Sequence, residues 1–255
     1  MIQTLSPLVS NRTVAPNIHV LKFLSPEIAS SARAGQFVNI RVNDLTQPLL
    51  RRPLSVYHVD GDCFEVIFNA VGIGTSILSL KREGDILDIL GPLGCGYVLD
   101  DDFETALLVS GGLGVAPLPM ITAELGRNGR RIVTFLGART GDQIVSTHLT
   151  GVNISTDDGS AGYHGTVIDL FRTRVQTGQY RNPKIYACGP HGMLGNLSAL
   201  ASNLGIRCEV SLESAMACGI GICQGCVVER IGGGKKYSLI CTEGPVYNSR
   251  TVRIN

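Results

Sequence analysis

The stretch CGIGICQGC, residues 218–226, places Cys218, Cys223 and Cys226 within a single tight loop, interleaved with Gly219, Gly221 and Gly225. Cys241 follows after fourteen intervening residues. A backbone carrying thiols this closely must wrap around whatever they hold. C-x4-C-x2-C with a distant fourth cysteine is the plant-type spacing for a [2Fe-2S] cluster. The interleaved glycines suit that object, because they take positive φ and let backbone N–H groups approach inorganic sulfur with no Cβ in the way. Two plainer readings share the residues. A structural zinc site also uses four cysteines but favours paired knuckles, and here only Cys223 and Cys226 form a two-residue-spaced pair. Ordinary buried thiols are the third reading, and they are the expected state of the scattered Cys63, Cys95, Cys188 and Cys208.

Bulk properties remove several function classes. The 255 residues suffice for two small domains or one large one, with ample material for a core. Twenty-two basic against 21 acidic residues leave a net charge of +1, so no general affinity for nucleic acid is expected. The absence of Trp argues against a stacking platform for single strands. No apolar run reaches the roughly 18 residues of a membrane span. The opening MIQTLSPLVSNRTVAPN lacks the pattern of a secretory signal. The expectation is a cytoplasmic protein in a reducing compartment, where clustered cysteines bind metal or do redox work in preference to forming disulfides.

Patterning divides the chain in three. Residues 1–98 hold short β-branched or aromatic runs (HVLKFLS, GQFVNIRV, PLSVYHV, CFEVIFNAV, ILDILGP) separated by Gly, Pro and Asp, which predicts an antiparallel barrel or sandwich. One short helix is expected within GTSILSLKREGD, opened by Thr75 or Ser76. From 99 to 210, apolar strands alternate with helical segments, the signature of βαβ units and a mostly parallel sheet. Residues 211–255 read as a small cysteine-bearing appendage.

Four glycine or arginine motifs lie on this framework. LLRRPLSV sets Arg51 and Arg52 at a strand start; a guanidinium there can clamp a pyrophosphate, and Ser55 can offer a hydroxyl, although a solvated strand end looks the same. NAVGIGTSIL ends a strand at a glycine turn and opens a helix near Gly74 and Thr75, whose N–H groups suit a phosphate. LLVSGGLGVAPL runs from a buried strand through Gly111, Gly112 and Gly114 into a helix with Pro117 at its start. It departs from G-x-G-x-x-G, so a plain strand–turn–helix connection stays open. YACGP ends a later strand at Cys188, Gly189 and Pro190, and ligands of open α/β sheets bind at such strand ends. Asp157 and Asp158 are expected to be turn-forming residues.

Together, RRPLS, GGLGVAPL, ACGP and CGIGICQGC with Cys241 resemble the ferredoxin–NADP reductase superfamily. More narrowly, the chain resembles the electron-transfer subunits of class B, NAD-linked dihydroorotate dehydrogenases, over nearly its whole length. AGQFVNI, GPLGCGY, STDDGSAGYHG and CTEGPVY extend the likeness. The resemblance implies an FAD-binding β-barrel, a Rossmann-like NAD-binding domain and a C-terminal [2Fe-2S] domain. It implies FAD against Arg52, Pro53, Leu54, Ser55, Phe68, Gly74 and Thr75. It implies NAD(H) against Gly112, Gly114, Cys188, Gly189 and Pro190, and a cluster on Cys218, Cys223, Cys226 and Cys241. The implied partner is an FMN-containing dihydroorotate dehydrogenase catalytic subunit in a two-plus-two heterotetramer. Electrons from dihydroorotate would pass to NAD+ in pyrimidine biosynthesis. Two positions stand out: Asn69, where the family usually carries a basic residue, and Arg139, which could accept a 2′-phosphate, with NAD(H) the preferred nucleotide.

Overall fold

The computed structural model describes residues 1–178 and 180–254. Six strands, β1 (Ile2–Ala15), β2 (Ile18–Leu24), β3 (Phe37–Ile40), β4 (Arg52–Asp60), β5 (Cys63–Asn69) and β6 (Ile86–Leu93), close into an antiparallel barrel in the order β1-β2-β5-β4-β3-β6. Closure removes the free edges that an open antiparallel sheet would expose. Helices α1 (Pro26–Ser31) and α2 (Ile73–Ser79) interrupt the strands. The expected short helix is thus present, but it opens at Ile73. Thr75 acts from inside its first turn, its Oγ1 accepting from the N–H groups of Val71 and Gly72 at 3.1 Å.

Strand β1 has no counterpart among the runs that pattern reading picks out. Its residues are mostly exposed or half-buried, and it contains Pro7. It is a strand because of its neighbours: Ile2–Pro7 pair with β6, and Leu8–Ala15 pair with β2. One long strand thereby sews the barrel shut.

The second layer is a seven-stranded sheet. Its strands are β7 (Thr105–Gly111), β8 (Arg131–Ala138), β9 (Val152–Thr156), β10 (Tyr163–His164), β11 (Pro183–Cys188) and β12 (Arg207–Ser211), joined after the short hairpin of β13 (Val227–Glu229) and β14 (Tyr237–Leu239) by β15 (Val246–Asn248). The order is β10-β9-β8-β7-β11-β12-β15, parallel throughout except where β15 runs against β12. Helices α3 (Leu118–Arg127), α4 (Val167–Thr177) and α5 (His191–Asn203) cover it, and α6 (Ile240–Glu243) carries Cys241. Strand β7 sits between β8 and β11, so the winding reverses there. That reversal opens a crevice at the carboxyl ends of the strands.

Barrel and sheet pack together through a shared cluster of buried residues. Ile18, Tyr57 and Ile67 of the barrel pack with Leu108, Ile121 and Tyr186 of the sheet layer. The buried tyrosines satisfy their hydroxyls across the seam: Tyr57 donates to the Thr147 carbonyl at 3.2 Å and Tyr97 to the Ala187 carbonyl at 2.9 Å. Beneath the sheet, the buried ammonium of Lys184 donates to the Val98 carbonyl (2.7 Å) and pairs with Asp101 (3.0 Å) and Glu209 (2.9 Å). Fully partnered, it ties the 94–104 connector to β11 and β12. The cysteine segment is anchored on both layers, Cys226, Ile240 and Cys241 packing with Phe37 and Leu93 of the barrel and Leu212 beside the sheet. Through β15 it also completes the sheet's edge.

Candidate functional site: two clefts and a cysteine loop

The first cleft, about 300 Å³, opens between barrel and sheet. Register on β4 brings Pro53, Leu54 and Ser55 to it; β5 contributes Ile67, Phe68 and Asn69, and Thr75 comes from α2. Leu113, Ala116 and Cys188 close it from the sheet side, and Leu212, Glu213 and Met216 from the segment before the cysteine loop. Mostly apolar walls with a few convergent polar groups are what a planar aromatic ligand requires. Cys188 belongs to the wall: burial pushes its thiol up to about 12, so it stays neutral.

The two arginines of the strand start part company. Arg51 is spent inside the barrel wall, paired with Asp88 at 2.6 Å and donating to the Asp88 and Asn39 carbonyls. Arg52 turns the other way and lies over Gly74, where any side chain would run into the guanidinium, and it donates to the Leu50 carbonyl. Arg52 and Gly74 therefore sit together at the start of α2, one residue from the cleft-lining Thr75.

The second cleft, also about 300 Å³, lies at the carboxyl ends of β7, β8 and β9. Gly111, Gly112, Arg139, Asp157 and Pro190 line it. Gly114 and Gly189 lie behind that lining, where two turns cross. A Cβ on Gly114 would collide with the Cys188 carbonyl, and Gly189 holds φ +152° against Gly111. Both aspartates lie in the turn after β9, as expected. Asp158 serves the turn with its side chain, its Oδ1 accepting from the Ser160 N–H (2.9 Å) and hydroxyl (2.6 Å), while Asp157 also lines the cleft, as does Arg139. Two adjacent acids after a strand cannot be told apart by pattern, because only the turn's geometry decides which one looks outward.

In the cysteine loop the backbone links the cysteines in two pairs, Cys223 to the sulfur of Cys218 and Cys241 to the sulfur of Cys226. Backbone N–H groups aim at the sulfurs: Ile220 and Cys223 donate to Cys218 Sγ at 3.5 and 3.4 Å, and Cys241 to Cys226 Sγ at 3.4 Å. Burial opposes ionisation of Cys218, yet the N–H groups of Cys223, Ile220 and Ile222 bring the thiol down to about 6. Cys241 is pushed up to about 11, first by burial and then by Cys226. Gly219 (φ +73°) and Gly221 (φ +84°) take the left-handed conformation as expected. Gly225 does not; Gln224 does, at φ +59°.

The pairing tests which group fits. A tetrahedral zinc site needs all four sulfurs about 3.8 Å apart around one ion. Among the described residues no three Cys, His, Asp or Glu side chains converge on one metal ion. Two pairs of thiols, each with N–H donors, fit a two-iron cluster with two thiolates per iron and donors on sulfur.

Pattern reading did not assign Phe37, Leu113 or the Leu212–Met216 segment to the first cleft; Phe37 and Leu113 lie within quoted stretches, but nothing local marks them as facing it. For Asn69 the signal was its departure from a basic residue. Among the described residues no helix is long and apolar enough to cross a membrane.

A closed flavin-type barrel, a sheet with a crevice at its winding reversal and a four-cysteine loop against both define an electron-transfer flavoprotein of the ferredoxin–NADP reductase type. The family model for the iron-sulfur cluster binding domain of dihydroorotate dehydrogenase B matches residues 213–253. The dihydroorotate dehydrogenase B (NAD(+)) electron transfer subunit of Desulforamulus reducens is 36% identical over 92% of each chain, and that of Bacillus caldolyticus 35% over 96% of each. The chain belongs to this family of electron-transfer subunits. Among solved structures, an NADH-dependent reduced ferredoxin-NADP oxidoreductase superposes with a TM-score of 0.85 at 31% identity, over 98% of this chain and 90% of that one. A Neisseria gonorrhoeae ferredoxin NADP+ reductase with bound FAD and NADP shares the fold at a TM-score of 0.67 and 15% identity, over 80% of this chain and 92% of that one.

Proposed function

We infer that this chain is the electron-transfer subunit of a two-component dihydroorotate dehydrogenase, with net reaction dihydroorotate + NAD+ → orotate + NADH + H+. The observation that carries the reading is the pairing of four cysteines, N–H donors on their sulfurs, beside a cleft shaped for a flavin. FAD, when bound, supplies both one- and two-electron chemistry, and a [2Fe-2S] cluster supplies one-electron chemistry. The chain's own residues bind, orient and exclude water. Arg52, Gly74 and Thr75 would face FAD phosphates, while Pro53, Leu54, Ser55 and Phe68 would hold its ring system. Gly112, Gly114, Cys188, Gly189 and Pro190 would border NAD(H), and Cys218, Cys223, Cys226 and Cys241 would hold the cluster. Asp157 in the lining of this cleft supports NAD(H), since a carboxylate accepts from a ribose hydroxyl and repels a 2′-phosphate.

In this reading 1–98 is the FAD unit, 99–210 the NAD unit and 211–255 the cluster unit. The partner is a catalytic subunit with FMN, two copies of each chain assemble, and the complex works in the cytoplasm. The test is co-expression with the dihydroorotate-oxidising partner and assay with dihydroorotate and NAD+. The isolated chain is expected to reduce dyes with NADH and to leave dihydroorotate untouched; turnover of dihydroorotate by this chain alone sinks the assignment. The extent of the superposition on the ferredoxin-NADP oxidoreductase favours a second reading, a reductase serving another redox partner. NADH-driven reduction of ferredoxin, with no coupling to a dihydroorotate-oxidising subunit, would select it.

A further inference from the structure

Asn39 is a polar residue in an apolar wall. Its neighbours on β3 are Phe37, Val38 and Ile40, and its own exposure is 1%. Burying an amide costs free energy unless its groups are bonded. Its Nδ2 donates to the Cys218 carbonyl at 3.2 Å, across 179 residues of sequence. Its Oδ1 has no partner among the described residues. That single bond to the first cysteine of the loop therefore accounts for the side chain's placement.

The contact is close on both sides. Gly219, directly after Cys218, approaches the amide so nearly that a Cβ there would collide with Nδ2. Arg51 holds the Asn39 carbonyl from behind at 3.4 Å while paired with Asp88, so the strand cannot easily yield. In register, Asn39 stands opposite Pro53, and Pro53 and Phe37 both line the first cleft. One residue thus touches the cysteine loop with its side chain while its backbone pairs with the cleft-lining Pro53, two residues along the strand from the cleft-lining Phe37.

We propose that Asn39 is the positioning residue that docks the cysteine loop on the flavin barrel and fixes the orientation of Cys218 relative to the cleft. The inference rests on the reading that Cys218, Cys223, Cys226 and Cys241 hold a [2Fe-2S] cluster. Groups that orient a metal ligand through a hydrogen bond tune both affinity and potential.

Asn39→Leu tests it, because Leu keeps roughly the shape while removing both the donor to the Cys218 carbonyl and the buried, unpartnered Oδ1; the carbonyl left without its donor is a cost to folding, partly offset by the loss of the unpartnered oxygen. The complex is purified with its native cofactors, and iron and FAD content are measured. The expected results are unchanged FAD content, shifted g-values in the electron paramagnetic resonance spectrum of the reduced cluster, a shifted midpoint potential, and iron retention against a chelator weakened roughly tenfold or more. Asn39→Asp, which also lacks the Nδ2 donor, is expected to shift the spectrum too. Should Asn39→Leu fail to fold, Asn39→Ser, which cannot reach the Cys218 carbonyl and adds no bulk, is expected to give the same spectral displacement. Wild-type g-values, potential and iron retention in a folded variant overturn the role of Asn39. A wild-type protein with no iron-sulfur signal at all overturns the cluster reading instead, so the two failures are distinguishable.

Discussion

The cysteine loop and the flavin cleft are built on opposite plans. Three of the site's four cysteines lie within nine residues, and two of its three N–H donors to sulfur come from the same stretch, the third being Cys241 itself. The cleft draws its walls from β4, β5, α2, the turn after β7 and the segment after β12, with lining residues scattered along the chain from Phe37 to Pro245. A local site depends on backbone conformation and thiol chemistry, whereas an assembled site depends on the seam between two layers. Damage to one should therefore spare the other.

The largest separation is expected from Cys223→Ala. The residue is exposed, so the fold should survive, while iron content falls to background and NAD+ reduction by dihydroorotate drops roughly a hundredfold or more. FAD content and NADH-dependent dye reduction should remain near wild type, as absorbance and steady-state assay would show. A matching loss of FAD would mean that the two sites are one folding unit.

Gly114→Ala attacks the assembled side. The methyl has only the Cys188 carbonyl and the Gly189 backbone to meet, and neither can rotate away. Destabilisation of about 2 kcal/mol is expected by chemical denaturation, with NADH affinity reduced and the cluster's spectrum intact. An unperturbed NADH titration would refute the crossing of the two turns as the reason for this glycine.

A smaller, favourable effect is expected from Asn69→Lys. Asn69 Oδ1 is buried without a partner among the described residues, and the side chain lines the cleft. An ammonium there should tighten FAD about fivefold to tenfold, read by quenching of flavin fluorescence. No change would show that the phosphates lie elsewhere.

The seam itself has the mildest handle. His58 of β4 stacks on His148 of the sheet layer, centroids 3.9 Å apart and planes 9° from parallel. Burial, then His148 and Lys22, lower the His58 pKa below its ordinary 6.5, against the opposing pull of Glu65 and Asp60. A lowered value means the unfolded chain takes the proton first. The contribution to stability is therefore present above pH 6.5 and fades as pH falls through the folded value. His58→Gln should flatten the melting temperature's fall between about pH 7.5 and 5.5 by about 2–4 °C. An unchanged pH slope would remove the stack from the seam's energetics.

Legibility followed the same divide. The glycine-rich loop, the βα alternation after residue 99 and the glycine turns at 111–114 and 188–190 are local signals, set by turn chemistry and by the periods of helix and strand. The barrel strands were legible except β1, whose exposed, proline-containing sequence becomes a strand only by pairing with two partners. The role of Gln224 was hidden as well, because a left-handed residue that is not glycine is selected by the loop around it.

By itself, then, the sequence determined the thiol spacing, the order of barrel, sheet and cysteine segment, and the residues that terminate strands at glycine. Tertiary structure decided which of two arginines stays free of the barrel wall, which of two aspartates faces the nucleotide cleft, and that Asn39 meets Cys218. The physical reason is range. Backbone propensity acts over a few residues, but the burial and hydrogen bonding that choose among equivalent side chains come from partners brought together only when the layers pack.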